Sequence, residues 1–370
     1  MLRWVAALLV CAAFASAQAD PEEILKRAIA LHQQGKTEEA IGAYRAYLAK
    51  RPDSVLALAN LGAAYAHSGR YQDAIAEYRR ALELQPEYAG ARLNLGLAYY
   101  KTGQLQTAAS EFEKLHAGAP AELQPILLLA DCRLAMGENK KVIELLEPLA
   151  AGRPDDLAIA YMLGTALIRD DQPTRGQPFV DRILRKGDSA EARLLLGTTR
   201  LQAGDVPAAL ADLAKAVELN PNLPHAQSYY GQALLRTGDP ERAAAAFRKA
   251  LASDPFDYTA NVNLAVILRE QEQMDESREC LRRAMQVRPH DIVSRYQLAA
   301  IALHDGKLEL ARRDLEAIAK EAPAYTEAHI TLATVYYRLQ RKAEGDRERE
   351  IVRKLTAEKQ AKQAQGVNVK

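Results

Sequence analysis

One spacing constrains this chain more than any other feature. Prolines fall at Pro52, Pro86, Pro120 and Pro154, each 34 residues from the last, and resume at the same interval at Pro221, Pro255, Pro289 and Pro323. Glycines keep the step at Gly35, Gly69, Gly103 and Gly137, then at Gly204 and Gly238, and, one place skipped, at Gly306. Proline lacks the amide donor that a helix interior needs, and glycine takes the left-handed conformation that closes a helix. Two stop signals at different phases of one period therefore mark a unit of two short helices. Pro154 and Pro221 are 67 residues apart, one unit of 34 plus one of 33. Ten units are expected: 21–54, 55–88, 89–122, 123–156, 157–189, 190–223, 224–257, 258–291, 292–325 and a terminal 326–359.

Val55–Tyr88 shows the unit most clearly. Its first apolar series, Leu58, Leu61 and Tyr65, has the spacing of one helical face, and Tyr71, Ala74, Ile75, Tyr78, Ala81 and Leu82 form a second. Gly62 and Ala74 leave room for two backbones to approach. Numbered from Val55, Leu58, Leu61, Gly62, Tyr65, Ala74, Tyr78, Ala81 and Pro86 occupy positions 4, 7, 8, 11, 20, 24, 27 and 32, with Leu61-Gly62 the pair at 7 and 8. This pattern resembles the tetratricopeptide repeat, a helix–turn–helix that must stack because one copy cannot cover its own apolar face. The resemblance runs from Pro21 to about Lys359. It implies an all-α fold: a right-handed α-solenoid, or superhelix, of about ten 34-residue units with a charged C-terminal capping helix.

The units are not equal. The third keeps Leu95, Gly96, Tyr99, Ala108, Phe112 and Pro120, whereas the fourth departs with Ala130, Arg133 and Val142. In the fifth, Asp171 replaces the turn glycine, Gly176 stands at position 20, and Pro178 falls where the second helix should run. The expectation is a loop over Asp170–Gln177, a short helix from about Pro178, and Asp188 capping the next unit. Residues 170–189 are read as a degenerate unit and a hinge between repeats at 21–169 and 190–359, the alternative being a worn repeat that still packs continuously. The terminal unit turns highly charged after Tyr336 and reads as the cap, followed by a disordered tail at 360–370.

Met1–Ala17 has Arg3, an apolar stretch Trp4–Phe14 and a small-residue site Ala15-Ser16-Ala17, the build of a secretory signal peptide. Its apolar run is shorter than the roughly 20 residues of a membrane span, so cleavage is favoured over a retained anchor. Cys11 lies inside that run behind Val10, a poor context for lipidation. Trp4 is the only tryptophan, so the cleaved protein contains none. Asp20, Pro21 and Glu23 then supply a helix start immediately after the cleavage site. Export to the periplasm or medium is the expected destination, with N-terminal anchoring the alternative.

Net charge is +1, so nothing global points to nucleic acid. Cys11, Cys132 and Cys280 are the only cysteines, the last two in units too far apart to meet, which leaves no disulfide framework. The seven histidines form no HExxH and no pair at metal spacing, and neither a phosphate-binding glycine loop nor GxSxG occurs. No catalysis, metal or cofactor is expected.

Function is then argued from the concave face, which in this family is lined mainly by positions 2, 5, 9, 12 and 13 of each first helix. Carried over, the apolar lining is Leu93, Leu97, Tyr100, Leu127, Tyr161, Leu201, Leu235, Val262, Val266, Tyr296, Leu303, Ile330 and Tyr337. Such a trough suits an extended or helical peptide. Each of these residues can equally pack against the neighbouring first helix. Lys101, Arg169, Arg236 and Arg338 share position 13 and would favour a partner segment carrying carboxylates, although a basic residue there is common in the family without an acidic ligand. The carboxylate clamp, with Lys at position 5 and Asn at 9, is absent; Asn60, Asn94 and Asn263 sit at position 6. The expected function is a non-enzymatic protein-interaction scaffold in a bacterial cell envelope. Two alternatives stay open: an arm like that of the protein O-GlcNAc transferases, disfavoured by the short tail after the last repeat, and a subunit for export or assembly of envelope polymers. The partner's identity and the oligomeric state are not legible.

Overall fold

The computed structural model describes residues 20–367, with side chains to Ala361. The expected signal peptide lies outside the described residues. Among them there are twenty helices and no strands, as an α-solenoid requires.

By mutual contact the chain forms two compact units, divided between Ala166 and Leu167. The first is a run of helical hairpins: α1 (Pro21–Gln33) with α2 (Thr37–Leu48), α3 (Val55–His67) with α4 (Tyr71–Leu84), α5 (Ala89–Lys101) with α6 (Leu105–Gly118), and α7 (Leu123–Met136) with α8 (Asn139–Gly152). The division falls within α9 (Leu157–Arg169). The second unit continues with α10 (Pro173–Arg185), then α11 (Ala190–Gln202) with α12 (Val206–Leu219), α13 (Ala226–Arg236) with α14 (Pro240–Ser253), and α15 (Tyr258–Glu270) with α16 (Met274–Val287). It ends with α17 (Ile292–His304) and α18 (Leu308–Glu321), then α19 (Thr326–Arg338) and α20 (Lys342–Val367).

Three local devices build the hairpin. The turn residue at position 15 has positive φ in every repeat, from Gly35 at 74° to Gly306 at 75°. Where glycine is missing, Asp171, Glu272 and Gln340 adopt the same conformation, at 59°, 62° and 63°. The conformation is therefore set by the hairpin, and a side chain with a Cβ is strained in it. Glu272→Gly is expected to raise stability by about 0.5–1 kcal/mol, read in a urea titration.

The second device joins helix to helix. A Cβ added to Gly96 would meet Phe112 Cε1 at 2.5 Å, and Gly62 and Gly231 face Tyr78 and Phe247 in the same way. Position 8 thus seats the ring at position 24 of the same hairpin. In three repeats alanine at position 8 meets leucine at position 24, as Ala130 with Leu146, Ala265 with Leu281 and Ala299 with Leu315, whereas in the first repeat Ala28 stands with Tyr44.

The third device ties one repeat to the proline of the last. Arg92 donates to the carbonyl of Pro86, Asn261 Nδ2 to that of Pro255 at 2.9 Å, and His329 Nε2 to that of Pro323 at 3.1 Å. Each donor is at position 4, six residues after its proline, and answers a carbonyl in the turn just past the end of the preceding helix. Arg92 and His329 also hold carboxylates of their own second helices, Glu111 at 2.8 Å and Glu348 at 2.6 Å.

Three expectations are corrected. No loop spans Asp170–Gln177: α10 begins at Pro173, in the first turn where proline is tolerated, and carries Pro178 inside. That proline removes one hydrogen bond, and the helix persists because Gly176, Val180 and Ile183 are buried along one face. Asp188 does not cap α11. Ser189 does, accepting from Ala192 N at 3.2 Å, while Asp188 pairs with Arg193 at 2.5 Å. Finally, α20 continues as helix through Val367, past residue 360 where a disordered tail was expected.

Candidate functional site

Adjacent first helices touch at a step of 35, one repeat plus one residue. Tyr296 Oη and Thr331 Oγ1 lie 3.1 Å apart, Arg236 Nη1 donates to Leu201 O at 2.5 Å, and Arg338 Nη1 to Leu303 O at 3.2 Å. The same step brings His32 Nε2 within 2.9 Å of His67 Nδ1, a pair that spacing within one helix could not show. Burial, and secondly the His67 ring, lower the His32 pKa. This pair, like the arginine contacts, could have been found by reading position 12 of one repeat against position 13 of the next.

These contacts change the meaning of the expected cationic row. Arg236 and Arg338 each close the last turn of the preceding first helix, where a cation also meets the negative end of the helix dipole. Arg169 stands with its guanidinium carbon 5.4 Å from the centre of the Tyr229 ring. Lys101 is exposed. Position 13 thus has a structural duty at two of its four cations, and no uniform acidic track follows from it.

The apolar lining divides in two. Leu201 and Val262 are buried, 4% and 8% exposed, and offer a partner almost no surface. Leu93, Leu97 and Tyr100 in the first unit, and Leu235, Val266, Tyr296, Leu303 and Tyr337 in the second, are half-buried, as are Leu127 and Tyr161. Leu93, Leu97 and Tyr100 lean on the core of the first unit. Tyr296 and Leu303 lean on a core in the second, where Tyr296 packs edge-on against Tyr325 at 5.4 Å. Ile330 stands out, 51% exposed. The first-helix face is thus partly anchored and partly open.

One cluster has the composition of a hydrolase triad without its wiring. His225 Nδ1 and Ser228 Oγ both bond to Asp257 Oδ2, at 3.0 and 2.7 Å. The serine gives its proton to the carboxylate rather than to the imidazole, and Ser228 is fully buried. A nucleophile needs a base on its hydroxyl and an open approach. The arrangement instead fastens the start of α13 to the cap of α15, where Asp257 accepts from Ala260 N at 2.8 Å. No group of three or more metal-ligating side chains occurs among the described residues. Sequence reasoning also missed a pair of arginines, Arg349 and Arg353, that edge a cavity in the last repeat.

No curated protein matches the chain. Tetratricopeptide-repeat family models match at 31–80, 91–120, and 161–224 with 231–291, and a TPR-repeat model at 65–103. Among solved structures, a chain of the APC/C hetero-tetramer Cut9–Hcn1 aligns over 91% of this chain and 73% of its own, at 11% identity and a TM-score of 0.60. A monomeric mutant of IFIT1 with Gppp-AAAA aligns over 91% and 90%, at 15% identity and a TM-score of 0.48. The MamA protein aligns over 45% and 91%, at 23% identity and a TM-score of 0.42. Likeness at such identities concerns the fold alone. The matched segments cover more than half of the chain and fall on the hairpins described above, so the chain belongs to the tetratricopeptide-repeat family.

Proposed function

We propose that this protein is a protein-interaction scaffold that holds a partner segment along the first-helix face of its repeats. The observation that carries the reading is the set of half-buried aliphatic and tyrosine side chains on that face, several of them (Leu93, Leu97, Tyr100, Tyr296 and Leu303) packed against the cores while keeping part of their surface exposed. Rigid rings presented this way give large contact area at a low entropy cost. No catalytic step is proposed: the Ser228, His225 and Asp257 cluster is wired for structure. Location in the cell envelope follows from the N-terminal segment alone, and loss of tryptophan fluorescence on maturation reports its cleavage, because Trp4 is the sole tryptophan. We further propose residues 170–189 as a hinge, on the strength of Asp171 in place of the turn glycine and of Pro178 inside the helix that follows.

Photo-crosslinking in cells tests the reading. A crosslinker in place of Tyr161 or Tyr296 is expected to capture a defined partner that one in place of exposed Glu83, on a second helix, does not. With that partner purified, Leu97→Ala with Tyr100→Ala, or Tyr296→Ala, is expected to weaken binding at least about tenfold, as loss of a buried anchor does. Equal capture at all three positions, or affinity unmoved by either variant, refutes the trough as the working surface.

A further inference from the structure

The last repeat breaks the rule that seats position 24 on position 8. Where other repeats place an aromatic or aliphatic side chain at position 24, this one has Arg349, opposite Ala333. A guanidinium does not fill the apolar space between two helices, and a cavity of about 500 Å³ opens between α19 and α20. Ile330, Ala333 and Tyr337 of α19 and Val352 of α20 make its apolar wall, Thr334 adds a hydroxyl, and Arg349 and Arg353 form its basic edge. Ile330 is the most exposed of the large apolar side chains among the described residues. No carboxylate lines the cavity. Two acids stand close by: Asp346 accepts from the lining Tyr337 Oη at 2.7 Å, and Glu350 pairs with Arg353 itself at 3.0 Å. The latter is an exposed pair on one helix, which an incoming carboxylate can replace at little cost.

We propose that this cavity anchors an acidic partner segment, with one aliphatic side chain against Ile330 and Val352 and flanking carboxylates on Arg349 and Arg353. The inference rests on the scaffold reading and deepens it, because Ile330 and Tyr337 belong to the same first-helix face. Charge complementarity selects the partner. Two planar, permanently charged forks beside an apolar wall match a carboxylate next to an aliphatic residue, and they repel a basic peptide. It also relocates the acidic preference: positive charge serves the partner at the second helix of the last repeat, while Arg236 and Arg338 close helix ends.

The test uses the full chain and a fluorescein-labelled peptide, Gly-Ser-Asp-Leu-Glu-Leu-Asp-Ser-Gly-amide, followed by anisotropy. Saturable binding is expected, falling at least about tenfold in Arg349→Glu/Arg353→Glu and in Ile330→Asp, and weakening with added salt. The same peptide with lysines for its acids, or serines for its leucines, is expected not to bind. Ile330, Arg349 and Arg353 are all exposed, so the variants should keep the wild-type circular dichroism and melting curve. Absence of saturable binding overturns the proposal. So does binding indifferent to both variants; if that binding is lost in Leu97→Ala/Tyr100→Ala, the scaffold reading stands and this anchor alone fails. A change of molecular mass in the arginine variant, with no competition by the peptide, would assign the cavity to a second copy of the chain and also overturns it.

Discussion

Gly96→Ala is expected to destabilise the protein by about 2 kcal/mol, although the same change in an exposed helix interior stabilises by about 1. Two effects compete. Alanine restricts the unfolded chain and suits a helix better than glycine, which favours the mutant. Against this, the new methyl would stand 2.5 Å from Phe112 Cε1 and within 3.0 Å of two more ring atoms, and the Phe112 ring is wholly buried with no space to retreat. Steric displacement of a core ring exceeds the propensity gain, and Gly96→Leu should cost more than about 3 kcal/mol for the same reason. Gly42→Ala supplies the control: Gly42 lies within α2, is exposed, and a Cβ there meets nothing within 4 Å. That substitution should raise the midpoint of a urea titration while Gly96→Ala lowers it. Phe112→Leu recreates the alanine-over-leucine pairing of Ala265 with Leu281, so adding it to Gly96→Ala should recover much of the loss. A double-mutant cycle without coupling between positions 96 and 112 would show that the glycine is not there to seat the ring.

That pairing also shows what sequence can and cannot reveal. Position 8, position 24, the turn residue and the terminal proline each declare themselves by recurrence, because the same residue type returns at the same phase, mostly every 34 residues. Even the substitutions Asp171, Glu272 and Gln340 keep the turn's phase. Contacts between adjacent first helices follow the step of 35, and the partners there change type from place to place: histidine on histidine, arginine on a carbonyl, tyrosine on threonine. A pattern search for like residues passes over them. The position-13 arginines were legible as a row but not as helix caps, since half of each contact is backbone. Pro178 misled for a related reason. Its local penalty is real, and burial of Val180 and Ile183 on the same helix outweighs it. The cavity edged by Arg349 and Arg353 escaped because the charged run after Tyr336 was read as solvated cap, and only the missing side chain at position 24 would have betrayed it.

Asp257→Ala is expected to cost about 3 kcal/mol. The residue is 4% exposed and works in two repeats at once. It caps α15 through Ala260 N, and it reaches back to His225 and Ser228 at the start of α13. His225 has φ of 63°, a left-handed conformation that a side chain resists, so the carboxylate also holds a strained entry to that helix. Removing it deprives the fully buried Ser228 hydroxyl of the acceptor that satisfies it, which is the expensive way to lose a hydrogen bond. The carboxylate's pKa is informative. Burial pushes it up, but the bonds from His225, Ala260 N and Ser228 together outweigh burial and hold it below the usual carboxylate range. A group depressed in the folded state stabilises the fold fully above its unfolded pKa, near 4, and loses that contribution as pH falls through the folded value. Between those values the unfolded chain binds more protons, so stability rises with pH, and Asp257→Asn, which keeps the shape and loses the titration, should flatten that slope. The measurement is a series of urea midpoints from pH 3 to pH 7 for wild type, Asp257→Asn and Asp257→Ala. Parallel curves for wild type and asparagine would mean that the charge at this cap contributes nothing to the seam between the two repeats.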